Sequence, residues 1–359
     1  MSHGRVTLRR PQGRYAPPLI RWGFTGAASF AVGLLAACGA APTALDPDAG
    51  VDAGVLADAG AVDAGPVEGP RWSTVAPMRE ARQETAVVAY QGEVVVLGGY
   101  DADQVFGRRV EAYDPATNAW RGLPSVPVRM HHANVAVVGD ALWVVGFLSD
   151  GFEEDGRIYR YDPGADAWSA QGEMPANRAR GASVVAVHQG LIYLVGGMRF
   201  GGAVGLVDRF DPASGAWQAL PPIPRGVDHG VGGVIGDRLY VAGGRGGLIQ
   251  NHRPDLDVLD LTAGTWSAGP PMPTSRGGAA GAVLDGRLYV MGGEGNRGGA
   301  LFSEVEAFDP VTGRWSSLPP LVPARHGMGA AAVGGRIFLP GGANVEAFGA
   351  VAVHQVLDP

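Results

Sequence analysis

The sequence predicts an all-β fold, a six-bladed β-propeller of four-stranded antiparallel blades. Three observations along residues 71–359 predict it. Tryptophans fall at Trp72, Trp120, Trp168, Trp217, Trp266 and Trp315, at spacings of 48, 48, 49, 49 and 49 residues. An Asp-Pro step, once Asp-Leu, begins at Asp114, Asp162, Asp211, Asp260, Asp309 and Asp358. A glycine pair begins at Gly98, Gly196, Gly243, Gly292 and Gly341, with Gly146-Phe147 as its altered copy. Landmarks held in phase over that length mark a unit that buries its apolar face by stacking on copies of itself.

Within a unit the first strand is rich in small residues, as in Gly277–Val283. The second, Arg287–Met291, is apolar and β-prone and runs into the glycine pair. The third alternates through Val305-Glu306-Ala307-Phe308 to the Asp309-Pro310 turn, and the fourth begins at Trp315 and stops at Pro319-Pro320. A gradient from small to bulky residues suits a wedge whose narrow strand crowds the axis. The sixth unit reaches Asp358-Pro359 without a tryptophan strand, while Trp72 precedes the first unit. The segment Trp72–Met78 is therefore expected to complete the last blade and seal both edges. Six tryptophans at one position of the unit are expected to pack between blades; stacking on a sugar is the other use of such rings.

A glycine pair, an aromatic-Asp-Pro segment and a following tryptophan, repeated about every 49 residues along 71–359, resemble kelch repeats. That resemblance implies a propeller. It also brings enzyme precedents: copper-dependent galactose oxidases, whose Tyr–Cys cofactor needs a cysteine, and sialic-acid mutarotases, which use carboxylate and arginine groups over the axis. The second unit departs at Phe147 and the fourth at Leu261, where altered local turns are expected.

Residues 1–37 have the form of an export signal. Arg5, Arg9, Arg10, Arg14 and Arg21 form a basic start, and an apolar run from Phe24 to Ala37 follows. The run ends in Leu35-Ala36-Ala37-Cys38-Gly39, which looks like a bacterial lipobox with Cys38, the single cysteine, as the lipidated residue. An ordinary signal peptide with an incidental cysteine is the alternative. Residues 38–70 carry six acidic residues, no basic one, and four Asp-Ala-Gly triplets, so they are expected to form a disordered tether. Such a chain is exported and lipid-anchored in the cell envelope, with an outer-membrane address, because Gly39 rather than Asp follows the cysteine. With Cys38 lipidated, no disulfide, thiolate metal site or cysteine nucleophile remains.

The net charge is −7: the leader contributes +5, the tether −6 and the repeats −6. An acidic tether and a mildly acidic domain argue against nucleic-acid partners.

Alternate connections share one end of a blade. One end carries uniform short turns such as Gln91-Gly92 and Asp285-Gly286. The other carries loops that differ from unit to unit, at 100–109, 148–156, 198–205, 245–253, 294–302 and 343–345. Loops that vary on a repeating scaffold are where binding is expected. At the same end Arg82, Arg180, Arg276 and Arg325 share a register, with Arg129 and Arg225 near it. They would grip an acidic ligand as a ring of guanidinium groups, or donate to loop carbonyls as part of the repeat. Beside them lie Gln83, Glu84, His131, His132, Asp228, His229, Glu294 and His326. The histidines come from units 2, 4 and 6; three imidazoles around the axis could bind a transition metal or supply acid–base groups, but polar lining of a wet channel is expected, with no metal and no cofactor. Together these features predict a binding module for a protein, peptide or glycan. The alternative is a sugar-modifying enzyme of the mutarotase kind, in which Glu84, Asp228, His229 and Glu294 transfer protons. No nucleophile–base motif is present, and catalysis is not the expectation.

Overall fold

The computed structural model describes residues 69–359; the export signal, Cys38 and nearly all of the tether lie outside the described residues. Six four-stranded antiparallel sheets follow one another in chain order around an axis. The first blade is Ala86–Tyr90, Glu93–Leu97, Val110–Asp114 and Ala119–Leu123, and four more repeat that order. The sixth takes Ala331–Val333, Arg336–Pro340 and His354–Asp358 from the C-terminus and Arg71–Thr74 from the N-terminal side, with Trp72 opposite Leu357. The ring is closed by the strand expected to close it. No helix among the described residues is long and apolar enough to cross a membrane.

The repeated residues each have a physical task. In the Asp-Pro step the aspartate accepts from backbone N–H groups two and three residues on, as Asp260 does from Thr262 and Ala263 at 3.0 and 2.8 Å. Asp260 at the fourth step does this with Leu261 in place of proline, so that departure leaves the turn intact. In the glycine pair the first residue has positive φ, from 63° to 68° in five blades. A Cβ there would strike the backbone carbonyl of the next blade's lead-in segment, Met130 O for Gly98 and Arg276 O for Gly243. The second glycine donates its N–H to that same carbonyl, as Gly244 does to Arg276 O at 3.0 Å. Blade 2 has Phe147 there, buried in a strand that runs on to Leu148. Its inter-blade bond is replaced by a side chain: Asn134 Nδ2 donates to Arg180 O at 2.8 Å.

Five tryptophans staple their blade to the preceding one. The indole N–H of Trp168 donates to Pro124 O at 2.8 Å, and Trp120, Trp266, Trp315 and Trp72 donate to Ala76, Pro221, Pro270 and Pro319 carbonyls. Trp217 has no such partner among the described residues and packs on Phe210 with centroids 4.7 Å apart. These half-buried rings belong to the framework. Trp315→Ala is expected to cost about 3 kcal/mol, the low end for a tryptophan truncation. Trp217→Ala, with no hydrogen bond to lose, is expected to cost about 1 kcal/mol less in urea unfolding.

The closing seam carries a buried histidine. His354 packs edge-on to Tyr113 of the first blade at 4.5 Å and donates Nδ1–H to Ala76 O at 3.1 Å. Burial pushes its pKa down to about 4. The folded value lies below the unfolded one of about 6.5, so the unfolded chain binds the proton more readily in between. The His354 contribution is therefore intact above about pH 6.5 and drains away as pH falls toward 4, by up to about 3 kcal/mol. Urea unfolding at neutral pH and near pH 4 checks this, and His354→Gln is expected to flatten the dependence.

Candidate functional site

Just before each inner strand one residue is left-handed: Glu84, His132, Ala182, His229, Gly278 and Gly327, with φ between 50° and 66°. Their backbones form a closed ring of six hydrogen bonds around the axis. Each N–H donates to the carbonyl of the equivalent residue in the preceding blade, Glu84 to Gly327, His132 to Glu84 and so on, at 2.5–3.2 Å. Glycine or a small residue suits such a position, and a left-handed bulky residue costs about 1–2 kcal/mol. Three blades nevertheless carry Glu84, His132 and His229. All three line an axial channel of about 290 Å³, with Gly278 and Gly327 beside them.

One residue before this ring stand Gln83, His131, Gly181, Asp228, Gly277 and His326. Each bridges the residue after its own blade's glycine pair: Tyr100, Leu148, Met198, Arg245, Glu294 and Ala343. The side chains of these tiers join in a circuit at the loop end of the channel. His132 Nε2 lies 3.0 Å from Glu84 Oε2. His326 Nδ1 lies 3.9 Å from Glu84 Oε1 and 3.3 Å from Glu294 Oε2. Arg245 spans Glu294 at 2.6 Å and Asp228 at 3.1 Å. Asp228 meets His229 Nδ1 at 2.5 Å, and the His229 and His132 rings pack edge to face at 4.8 Å.

Three carboxylates thus face one guanidinium. Burial alone would raise Glu84, but the imidazoles of His132, His229 and His326 hold it well below the ordinary carboxylate range. Asp228 is likewise held down against burial by His229 and Arg245. Burial and the nearby Arg245 charge push His229 down, toward the neutral ring. His131, beneath His132, is pushed down to about 3 by burial and by its neighbour, and its Tyr100 partner is raised to about 12. The mouth is a buried cluster of carboxylates and imidazoles, suited to a cation or to moving a proton.

The four arginines of the shared register lie elsewhere. Arg82, Arg180, Arg276 and Arg325 are buried inside their own blades and turn away from the channel. Each donates to a glycine-pair carbonyl: Gly98, Gly196, Gly292 or Gly341. Each also reaches a polar residue on the third strand: Glu111, Asp208, Glu306 or Gln355. They clamp strands together, and the Nε–H groups of Arg82 and Arg325 that lack a partner are buried inside the blade, out of an acidic ligand's reach; burial alone lowers Arg325 to about 10. Met130 and Val227 fill the register in blades 2 and 4, and Arg129 and Arg225 beside them are exposed, paired with Asp150 and Asp255. The structure therefore brings Glu84, His131, His132, Asp228, His229, Glu294 and His326 together and leaves the arginine set out. Arg245, central to the circuit, was missed by sequence reasoning. Its signal was present, since it follows a glycine pair as Glu294 does.

Around this mouth stand the variable loops, each bearing apolar tips except that of blade 5. Of nine exposed large hydrophobic residues among those described, six are on these loops: Val105, Phe152, Phe200, Leu248, Val345 and Phe348. Phe200 is 81% exposed and is capped by the Arg199 guanidinium at 4.4 Å. The blade 6 loop is longer than its sequence suggests, running from Ala343 to Val353 and folding Ala347 against Gln83 and Glu294.

Comparison with known proteins agrees with the repeat and the ring. Residues 170–342 match the KLHDC2/KLHL20/DRC7 Kelch-repeats domain, and residues 81–127 match the Kelch motif. This is a kelch-repeat protein. The kelch chain is 31% identical over 195 residues to "Kelch-like protein terF" of Aspergillus terreus, covering 49% of this chain and 42% of that one. It is 34% identical over 128 residues to mouse "Kelch-like protein 35", covering 35% and 22%, and 27% identical over 134 residues to "Alpha-scruin" of Limulus polyphemus, covering 36% and 14%. The kelch chain thus spans less than half the length of these relatives. Among solved structures, the "Structure of YjhT" superposes with a TM-score of 0.69 at 16% identity, over 79% of this chain and 96% of that one, a likeness of fold.

Proposed function

We propose that this kelch propeller is an interaction module that binds a protein or peptide through its variable-loop face, displayed on the Asp/Ala/Gly tether from a lipidated Cys38 at the outer membrane. The observation that carries this is the circlet of apolar tips, Val105, Phe152, Phe200, Leu248, Val345 and Phe348, around a polar mouth. Exposed large apolar groups gathered on one face and rimmed by polar residues are what a partner's side chains cover. The opposite end offers Val187 and Val311, set among uniform turns.

The test is capture of envelope proteins by the full chain, followed by titration of what is recovered. Phe200→Ser with Leu248→Ser is expected to weaken binding by at least about tenfold, since anchors of this size carry ~1–2 kcal/mol each. Val187→Ser with Val311→Ser is expected to leave it unchanged. Loss confined to the second pair, or saturable glycan binding with no protein partner, would contradict the proposal.

A sugar-modifying enzyme is the second candidate, and the observation favouring it is the axial set Glu84, His132, Asp228 and His229, placed for proton transfer. Turnover in a mutarotation assay that disappears in Glu294→Gln while folding persists would favour it over the first.

A further inference from the structure

The channel end gathers three side chains whose free atoms converge. His131 Nε2 lies 2.9 Å from both the Tyr100 hydroxyl and the Ser149 carbonyl oxygen, and its Nδ1 lies 2.5 Å from His132 Nδ1. That leaves His132 Nε2 facing Glu84 Oε2 at 3.0 Å. Across the mouth, His229 donates Nδ1–H to Asp228, so its Nε2 is a lone pair. This atom is buried in a residue only 9% exposed and has no hydrogen-bond partner among the described residues. The ligand atoms of Glu84, His132 and His229 lie within 4.8 Å of one another. A buried nitrogen lone pair without a donor, set beside a carboxylate and a second imidazole, is what a bound cation would satisfy.

We propose that Glu84, His132 and His229 hold a divalent transition-metal ion of the zinc class, with one coordination position open toward the axial channel. Two imidazole nitrogens and a carboxylate oxygen form a ligand set of the zinc type, whereas calcium and magnesium take oxygen ligands. Bonds of about 2.0–2.2 Å in tetrahedral geometry put ligand atoms roughly 3.4 Å apart, a spacing these side chains reach with small inward shifts. The outer contacts are those of a supported metal site. Asp228 orients His229, and Asp228 is held in turn by Arg245 at 3.1 Å and the Gly247 N–H at 3.0 Å. His131 orients His132 from a ring bonded to Tyr100 and Ser149. The ligands are the very residues that occupy left-handed backbone where glycine would be unstrained, at φ 52°, 50° and 51°. The neighbouring set of Glu84, Glu294 and His326 is a poorer candidate, because Arg245 already stands 2.6 Å from Glu294. This site does not depend on the interaction face, and it takes the metal alternative that the sequence offered for the imidazoles in place of the expected wet lining.

The rival occupant is a proton on His132 Nε2, and the two are separable. The full chain, stripped with chelator, is titrated with zinc ion by calorimetry and with cobalt(II) by visible absorption. One equivalent is expected to bind, with a cobalt spectrum of four- or five-coordinate form. His132→Ala and His229→Ala are each expected to weaken binding by at least about 100-fold, and Asp228→Asn by about 10–100-fold. His188→Ala, at the opposite end beside Asp237, is expected to leave it unchanged. Should a variant fail to fold, nitrogen NMR of the unaltered chain decides: zinc ion is expected to shift Nε2 of His132 and His229. Binding that survives His229→Ala in a folded chain, or a His132 ring that stays doubly protonated at neutral pH with zinc ion present, would overturn the proposal.

Discussion

Arg276→Met is expected to cost about 3–5 kcal/mol of folding stability, the scale for breaking a buried pair by removing one partner. Arg276 is 1% exposed. Its Nε donates to Gly292 O at 2.9 Å, its terminal nitrogens to Thr274 O at 2.8 Å and Val290 O at 2.9 Å, and one reaches Glu306 Oε2 at 2.5 Å. Methionine fills much of the volume but supplies none of those donors. It strands Glu306, 3% exposed, with the Thr274 hydroxyl as its remaining partner. Blade 2 supplies the rescue, with Met130 and Tyr159 at the two positions. Adding Glu306→Tyr to Arg276→Met is expected to recover most of the loss in urea unfolding, and no recovery would mean that the clamp is misassigned.

Gly196→Ala is expected to be comparably severe, at about 3–5 kcal/mol, from a left-handed penalty of about 1–2 kcal/mol and overpacking of about 1–3 kcal/mol. The added Cβ would lie far inside contact distance of the Val227 carbonyl oxygen and would also strike the Val227 side chain, both across a blade boundary. Relief would require blades 3 and 4 to separate. Gly190 in the short turn of the same blade is the control. Its φ is +77° but a Cβ there meets nothing within 4 Å, so Gly190→Ala is expected to cost only the conformational part, about 1–2 kcal/mol. Equal losses at the two positions would show that backbone conformation alone, and not contact between blades, places the glycine pair.

The framework was legible in the sequence because its periodic landmarks are also its inter-blade contacts. Each tryptophan position packs on a neighbouring blade and each glycine pair meets the next one, so their phase counted blades and left Trp72 for the closing strand. The end that carries the variable loops was legible for the same reason, since connections alternate along a four-stranded unit. The chemistry of the mouth was harder to see. Arg82 and Glu84 are two residues apart, yet one runs back into its blade toward Gly98 and the other toward the axis. That difference comes from a left-handed backbone at Glu84, φ 52°, which nothing in its side chain announces. Gly278 and Gly327 in the same register were the signal, because glycine marks positions that other residues occupy only under strain. Arg245 was hidden by its setting, a charged residue at the start of a loop where solvation is the ordinary outcome, and only the carboxylates of Asp228 and Glu294 from two blades make it central.

The proposed function requires that a partner meet the variable-loop end of the ring. A photo-crosslinking residue placed in living cells at position 200 or 248 on the variable loops, and at position 187 or 311 on the short-turn end, reads that directly. Crosslinks to a discrete protein from 200 and 248, with none from 187 and 311, are the predicted result. Crosslinks from 187 or 311 alone would contradict the choice of face and the function built on it.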